Sequence, residues 1–210
     1  MKVNLEKHLG IWGATDSGKS TFAKKLFLSS QKRAIYISPK QEFFDSEVQT
    51  IPATELTLEN FRRKKFAVYA ATEDELNEVL FLLQDLVNDF PASIRKRRER
   101  IFLLCIDELS SYTRQLYHNE VVKFVRNAYS FNTVVCVIDQ DPAAINHTLF
   151  KQLSQHVIFR VAKAQHQYLY DNVISYALDS SVKFAFPSEN YDFIIVNSEG
   201  KISTKRRLKI

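Results

Sequence analysis

Eight residues near the start of the chain, Gly13-Ala14-Thr15-Asp16-Ser17-Gly18-Lys19-Ser20, constrain its fold more than any other feature. They match GxxxxGK[ST] at every fixed position, a pattern that needs a strand before it and a helix after it. The sequence supplies both: His8–Trp12 is a short apolar run, and an amphipathic helix is expected from about Lys19 to Ser29. Glycine is otherwise scarce. Of four in 210 residues, Gly10, Gly13 and Gly18 fall within the first twenty, and Gly200 sits in a late turn. Glycines at 13 and 18 let the main chain wrap so that successive N–H groups face a phosphate, and the helix behind adds its positive end. The expected cradle is Gly13, Ala14, Thr15, Asp16, Ser17, Gly18, Lys19, Ser20 and Thr21. In it Lys19 would reach the β- and γ-phosphates and the Ser20 hydroxyl would ligate Mg²⁺.

Further apolar runs rich in β-branched and aromatic residues follow at Arg33–Ser38, Phe66–Ala71, Ile101–Ile106, Thr133–Ile138 and His156–Val161. Helical patterns separate them, near Leu56–Lys65, from Leu76 to Phe90 ahead of Pro91, at Asn119–Tyr129, after Pro142, and near Gln165–Tyr176. Tyr191–Val196 and Lys201–Leu208, joined across Asn197–Gly200, read as a terminal β-hairpin. Strands apolar on both faces, alternating with helices, predict a mainly parallel sheet covered on both sides. The expected class is α/β. With no linker or repeat, one domain is expected over residues 1–210, its core at about 8–162 and a helix and hairpin over 163–210.

The composition, 45% hydrophobic and 25% charged, is that of an ordinary globular chain. No apolar run approaches the ~18 residues of a membrane span, and the first ten residues lack a signal peptide's apolar stretch. Cys105 and Cys136 lie inside strand-like runs and read as small buried hydrophobes in a reducing cytosol. The net charge of +5 is unevenly spread. Pro91–Arg100 carries +4 and Lys201–Ile210 carries +5, so the other 190 residues carry a net −4. Two concentrated basic segments on an acidic body suit a polyanionic partner. Solvated cations on a loop and a tail are the competing reading.

The second half of the site is Leu103-Leu104-Cys105-Ile106-Asp107-Glu108. An aspartate ending a buried strand beside the glycine loop can orient Mg²⁺, and a glutamate after it can polarise an attacking water. The pair favours nucleotide hydrolysis over transfer to a small acceptor. Gln140, ending the next strand, could bond a γ-phosphate or the lytic water; a loop glutamine without a role is equally consistent. Arg126 precedes that strand by seven residues. It has no evident phosphate-facing role in its own subunit, but could reach a neighbour's nucleotide as an arginine finger, with Arg160 and Arg114 as competitors.

GATDSGKS, IFLLCIDELS and VRNAYSFNTVVCVIDQDP together resemble the FtsK/HerA superfamily of DNA-pumping ATPases, over roughly residues 8–162. Gly13–Ser20 matches its Walker A motif, Asp107 and Glu108 its Walker B pair, and Arg126 and Gln140 its arginine and strand-end glutamine, in the same order. The resemblance implies a RecA-like P-loop fold, ATP and Mg²⁺ as cofactors, and a hexameric ring with Arg126 acting in trans. Double-stranded DNA would pass through the pore. At this length the chain looks most like the compact genome-packaging ATPases of membrane-containing icosahedral viruses. That implies the host cytoplasm, or a packaging vertex of the virion, and capsid or internal-membrane proteins as further partners. Arg95, Lys96, Arg97, Arg98 and Arg100, ahead of the Asp107 strand, could contact DNA phosphates, with Lys205-Arg206-Arg207 as a second candidate.

A guanine-reading [NT]KxD and an LSGGQ-like signature are both missing from the sequence, which disfavours a signalling GTPase and an ABC-type ATPase. A RecA-like helicase or recombinase ATPase shares the Asp-Glu pair and the terminal glutamine. A small-molecule P-loop kinase and a slow nucleotide-gated binding module also remain open.

Overall fold

The computed structural model describes residues 3–41, 48–89, 101–112, 120–177 and 184–209. Strand β1 (Leu9–Trp12) leads through the glycine loop into helix α1 (Lys19–Ser29), followed by β2 (Arg33–Ser38), β3 (Thr50–Pro52) and β4 (Lys65–Tyr69). Helix α2 (Glu73–Asn88) precedes β5 (Phe102–Asp107); α3 (Leu109–Tyr112) and α4 (Glu120–Asn127) precede β6 (Thr133–Asp139). Then come α5 (His147–Phe150), β7 (Gln155–Ile158), α6 (Lys163–Leu169), β8 (Asp192–Val196) and β9 (Arg206–Arg207).

The sheet order is β3-β4-β2-β5-β6-β1-β7-β8-β9. Every pairing from β3 to β7 is parallel, and β8 and β9 close the edge antiparallel. The expected α/β class and the C-terminal antiparallel hairpin are therefore both present. Every residue of β5 and of β6 is buried, as the unbroken apolar runs require of strands covered on both faces.

Alternation along those strands divides the core in two. Leu103 and Cys105 face one side with Leu9, Ile11, Tyr36, Val134 and Cys136, against Ala23 and Phe27 of α1. Phe102, Leu104 and Ile106 face the other, with Leu76, Val79, Leu80 and Leu83 of α2 and Val121, Phe124 and Val125 of α4. Cys105 and Cys136 stand in register on neighbouring strands, both buried and both free thiols.

Local differences from the sequence reading have simple causes. The helix expected near Leu56–Lys65 is two 3₁₀ turns, Ala53–Glu55 and Leu58–Arg62; with Phe61 the one buried residue of the second, no apolar face exists to extend it. The helix expected over Gln165–Tyr176 is α6 running into a π-turn at Tyr170–Ile174. Strand β3 is three residues long, too short to leave a periodic signal. No helix among the described residues is long and apolar enough to cross a membrane.

Candidate functional site

Three strand ends meet at one end of the sheet. Trp12, ending β1, is in register with Asp139 of β6, and Asp107 of β5 is in register with Ile138. Asp107 was expected next to the glycine loop, and its charge does act on Lys19 of that loop. The sheet order places β6 between β1 and the Asp107 strand. Two inter-strand steps separate β1 from β5 by about 10 Å, and Gln140 emerges in that gap.

The loop is anchored at its root. Gly13 N donates to Asp139 O at 3.2 Å and Ala14 N to Arg160 O at 2.8 Å, tying it to the strand ends on both sides. Gly18 has φ +100°, and a Cβ there would lie 2.7 Å from Tyr191 Cδ1. At Gly13 a Cβ would lie 2.3 Å from Ser17 Oγ. Glycine is thus needed at both positions, once for conformation and once for space. Tyr191 N donates to Ser17 O at 2.8 Å, so the turn ahead of β8 braces the loop from outside.

Helix α1 begins with no side-chain cap and no acid in its first turn. Helix α2 is the contrast: Thr72 caps it by accepting from Glu75 N at 3.2 Å, and Glu73, Asp74 and Glu75 fill its first turn. A helix N-terminus left without capping oxygens presents its N–H groups and positive dipole end to an anion. Ser17 Oγ, buried in the loop, has no hydrogen-bond partner. Lys19 is only 7% exposed and lies within electrostatic reach of Asp107, Glu108 and Asp139. Burial lowers its pKa, while the charges of Asp107 and Glu108 act the other way. Ser20 and Thr21 follow, half-buried, in the first turn of α1.

Asp107 is 1% exposed and is held by two donors, Tyr36 Oη at 3.1 Å and the N–H of Glu108 at 3.1 Å. Burial raises its carboxyl to about 6, against the opposing pull of the Tyr36 hydrogen bond. Glu108 has φ +50°, a left-handed conformation that costs a non-glycine residue about 1 kcal/mol. It turns the chain sharply off the strand end, and the Glu108 carboxylate forms an ion pair with Lys40 Nζ from the end of β2. Asp139 holds the floor of the site: it accepts from Ser110 N at 2.7 Å, Ser110 Oγ at 3.0 Å, Gln140 N at 2.7 Å and Asp141 N at 2.9 Å. Gln140 Oε1 accepts from Thr15 Oγ1 at 3.0 Å, joining the end of β6 to the glycine loop.

The structure thus brings Gly13–Thr21, Asp107, Glu108 and Gln140 into one crevice. Arg126 is not part of it. It is exposed in the last turn of α4, which leads into the opposite, N-terminal end of β6. Arg160 is engaged within its own chain, donating to Thr15 O at 3.1 Å and Asn190 Oδ1 at 2.9 Å. Arg95, Lys96, Arg97, Arg98, Arg100, Arg114 and the expected helix break at Pro91 lie outside the described residues. In the basic tail, Lys205 pairs with Asp192 at 3.0 Å and Arg207 with Glu189 at 3.1 Å.

Tyr36, Lys40, Asp139 and Tyr191 escaped the sequence reading. Tyr36 on β2 and Lys40 two residues beyond its end are unremarkable until β2 is known to lie beside β5. Asp139 carried a usable signal, as a carboxylate at a buried strand end immediately before Gln140.

The donor set fits a nucleotide phosphate with Mg²⁺. The Ser20 hydroxyl and the Asp107 carboxylate are hard oxygen donors, and Mg²⁺ is commonly held by one or two protein oxygens together with substrate phosphates. Among the described residues no cluster of three or more His, Cys, Asp or Glu side chains offers an all-protein metal cage.

No protein-family model matches the chain, and no curated protein matches it. Solved structures do, and they share the fold of P-loop ATPases. The genome packaging NTPase B204 from Sulfolobus turreted icosahedral virus 2, in complex with AMPPCP, superposes with a TM-score of 0.72 at 12% identity, over 98% of this chain and 100% of that one. VirB4 of Thermoanaerobacter pseudethanolicus gives 0.65 at 12% identity, over 99% and 92%. The cytoplasmic domain of the type VII secretion ATPase EccC from Thermomonospora curvata gives 0.63 at 10% identity, over 98% of this chain and 24% of that one. At these identities the likeness is one of fold, and at that level it agrees with the resemblance carried by the sequence motifs.

Proposed function

We propose that the chain is an ATPase that couples hydrolysis to translocation of double-stranded DNA, as the genome-packaging motor of a virus. The observation that carries the reading is the meeting of an uncapped glycine-loop helix, a buried Asp107 and the adjoining Glu108 in one crevice. The end-to-end likeness to a packaging NTPase bound to AMPPCP supports it.

In this reading the N–H groups of Gly13–Thr21 cradle the phosphates, and Lys19 bridges the β- and γ-phosphates. Ser20 and Asp107 would hold Mg²⁺, which would supply positive charge against the phosphates. Tyr36 orients the Asp107 carboxylate through its hydrogen bond. Glu108 takes a proton from the attacking water. Lys40 forms an ion pair with the Glu108 carboxylate, and a γ-phosphate competing for that ammonium would free the base. Gln140, tethered to Thr15, reads the γ-phosphate from the gap between β1 and β5. Arg126, remote from its own crevice, is the residue assigned to a neighbour's site in a homo-oligomeric ring, most simply a hexamer. The protein would work in the host cytoplasm or at a packaging vertex, against capsid or internal-membrane proteins.

Glu108→Gln tests the chemistry. It keeps the shape of the side chain and removes the base, so nucleotide affinity is expected to stay within a few-fold while turnover falls by about 10²–10⁴. Normal hydrolysis by this variant would overturn the assignment.

A further inference from the structure

The end of the sheet opposite the glycine loop carries a second charged feature. Arg33 opens β2 and Lys65 opens the adjacent β4, where Ala34 and Lys65 are in register. Arg62, Arg63 and Lys64 form the turn into β4 and are exposed. Arg33 Nη1 donates to the carbonyls of Phe61 at 2.8 Å and Arg62 at 3.0 Å, fastening this turn to the start of β2. Lys65 Nζ donates to the carbonyl of Leu28 at the end of α1.

These partners decide what the cluster is. Arg33 and Lys65 are held by neutral carbonyls, which fix a cation in place without cancelling its charge. Among the described residues the one carboxylate in ion-pairing range is Glu59, 3.9 Å from Arg62, with both side chains more than four-fifths exposed. Such a contact cancels little. Arg63 and Lys64 make no ion pair among the described residues. Lys65 has its pKa lowered by burial and then by neighbouring Lys64, as expected of cations crowded together. The basic tail differs: Lys201, Lys205 and Arg207 all meet carboxylates of the same chain.

We propose that Arg33, Arg62, Arg63, Lys64 and Lys65 form a docking ridge for the phosphate backbone of double-stranded DNA. This rests on the reading of the chain as a DNA-translocating ATPase. Five cations with a single, weakly paired carboxylate in ion-pairing range among the described residues complement a polyanion of high charge density. The aromatics nearest in sequence, Phe61 and Phe66, are each 1% exposed. Neither ring offers a face on which unpaired bases stack, so the ridge suits a duplex better than a single strand. Its contacts are to backbone, so binding is indifferent to sequence. The strands that separate it from the nucleotide crevice are five or six residues long, roughly 17 Å, so DNA held here leaves the nucleotide site open.

The test is fluorescence anisotropy of the full chain with a labelled 30-base-pair duplex between about 50 and 200 mM salt. Wild type is compared with Arg62→Gln/Arg63→Gln/Lys64→Gln, three exposed changes outside the nucleotide crevice. Each lost phosphate contact reduces the slope of log affinity against log salt by about 0.9. A drop of about 2–3 in slope and at least tenfold weaker binding at 100 mM are expected, with melting temperature and DNA-free ATP turnover unchanged. If wild type binds duplex and the variant binds it equally, with the same slope, the ridge is wrong and the motor reading stands. If wild type hydrolyses ATP but binds no duplex, the DNA part of that reading fails and the ridge fails with it. If the variant loses binding to vesicles of anionic phospholipid while duplex binding is unaltered, the ridge is a membrane contact, which also overturns the proposal.

Discussion

Asp107 pays for its position. A carboxylate 1% exposed, with two hydrogen-bond donors and a pKa raised to about 6, is poorly solvated. Its folded-state value lies above the ordinary 3.8, so the folded protein binds the proton more tightly than the unfolded chain does. Stability from this group is therefore present below about pH 4 and lost as pH rises through 6. Asp107→Asn removes that charge and keeps an acceptor for Tyr36. The nucleotide-free variant is expected to be more stable than wild type at pH 8, by on the order of 3 kcal/mol, and to lose the advantage by pH 4. Its Mg²⁺-dependent turnover should fall by two orders of magnitude or more. Denaturant melts at the two pH values, with and without Mg²⁺-nucleotide, check both halves. The carboxylates at 107 and 108 were legible in the sequence because each belongs to a contiguous motif. Lys40 was not, because only the pairing of β2 with β5 brings its ammonium to Glu108.

At the scale of elements, the site depends on how α1 starts and on which strand lies between β1 and β5. Gly18 turns the chain into α1 with φ +100° and packs against Tyr191. Gly18→Ala places a Cβ 2.7 Å from that ring in a conformation L-residues avoid. A loss of about 2 kcal/mol in stability is expected, together with at least tenfold weaker nucleotide binding as the loop's N–H groups lose their alignment. Thermal melts and nucleotide titration of the variant measure the two effects separately. The strand–loop–helix unit was readable because its signals are local: an apolar run, two glycines and a helical period. The insertion of β6 was not, since strand order arises from long-range pairing that leaves no mark on periodicity. The segment before β4 was read as one short helix and is two 3₁₀ turns, because Phe61 alone is buried in the second and one buried residue cannot sustain an α-helical face.

At the scale of the whole molecule, one sheet separates a nucleotide crevice at its C-terminal end from a basic ridge at its N-terminal end. Its central strands are locked together partly by His156, buried on β7, which accepts from Trp12 Nε1 on β1 at 3.0 Å. Burial lowers the His156 pKa to about 4. A folded value below the ordinary 6.5 means the unfolded chain binds this proton more readily. Stability from neutral His156 is full above about pH 6.5 and is lost as pH falls toward 4. The raised pKa values of buried Asp107 and Asp139 act in the opposite direction, so the contribution is read as the difference in melting temperature between wild type and His156→Asn. Wild type's advantage is expected to shrink from pH 7.5 to 4.5; an advantage that is absent at pH 7.5, or that does not change with pH, would show that neutral His156 does not couple β1 to β7.

The central claim is that a nucleotide crevice at one end of the sheet drives work on duplex DNA. Its most direct test is steady-state ATP hydrolysis with and without linear double-stranded DNA, at low salt and high protein concentration. Several-fold stimulation by duplex, lost as salt rises, is the expected result. Turnover indifferent to duplex, with phosphate passing instead to an added small acceptor, would contradict it.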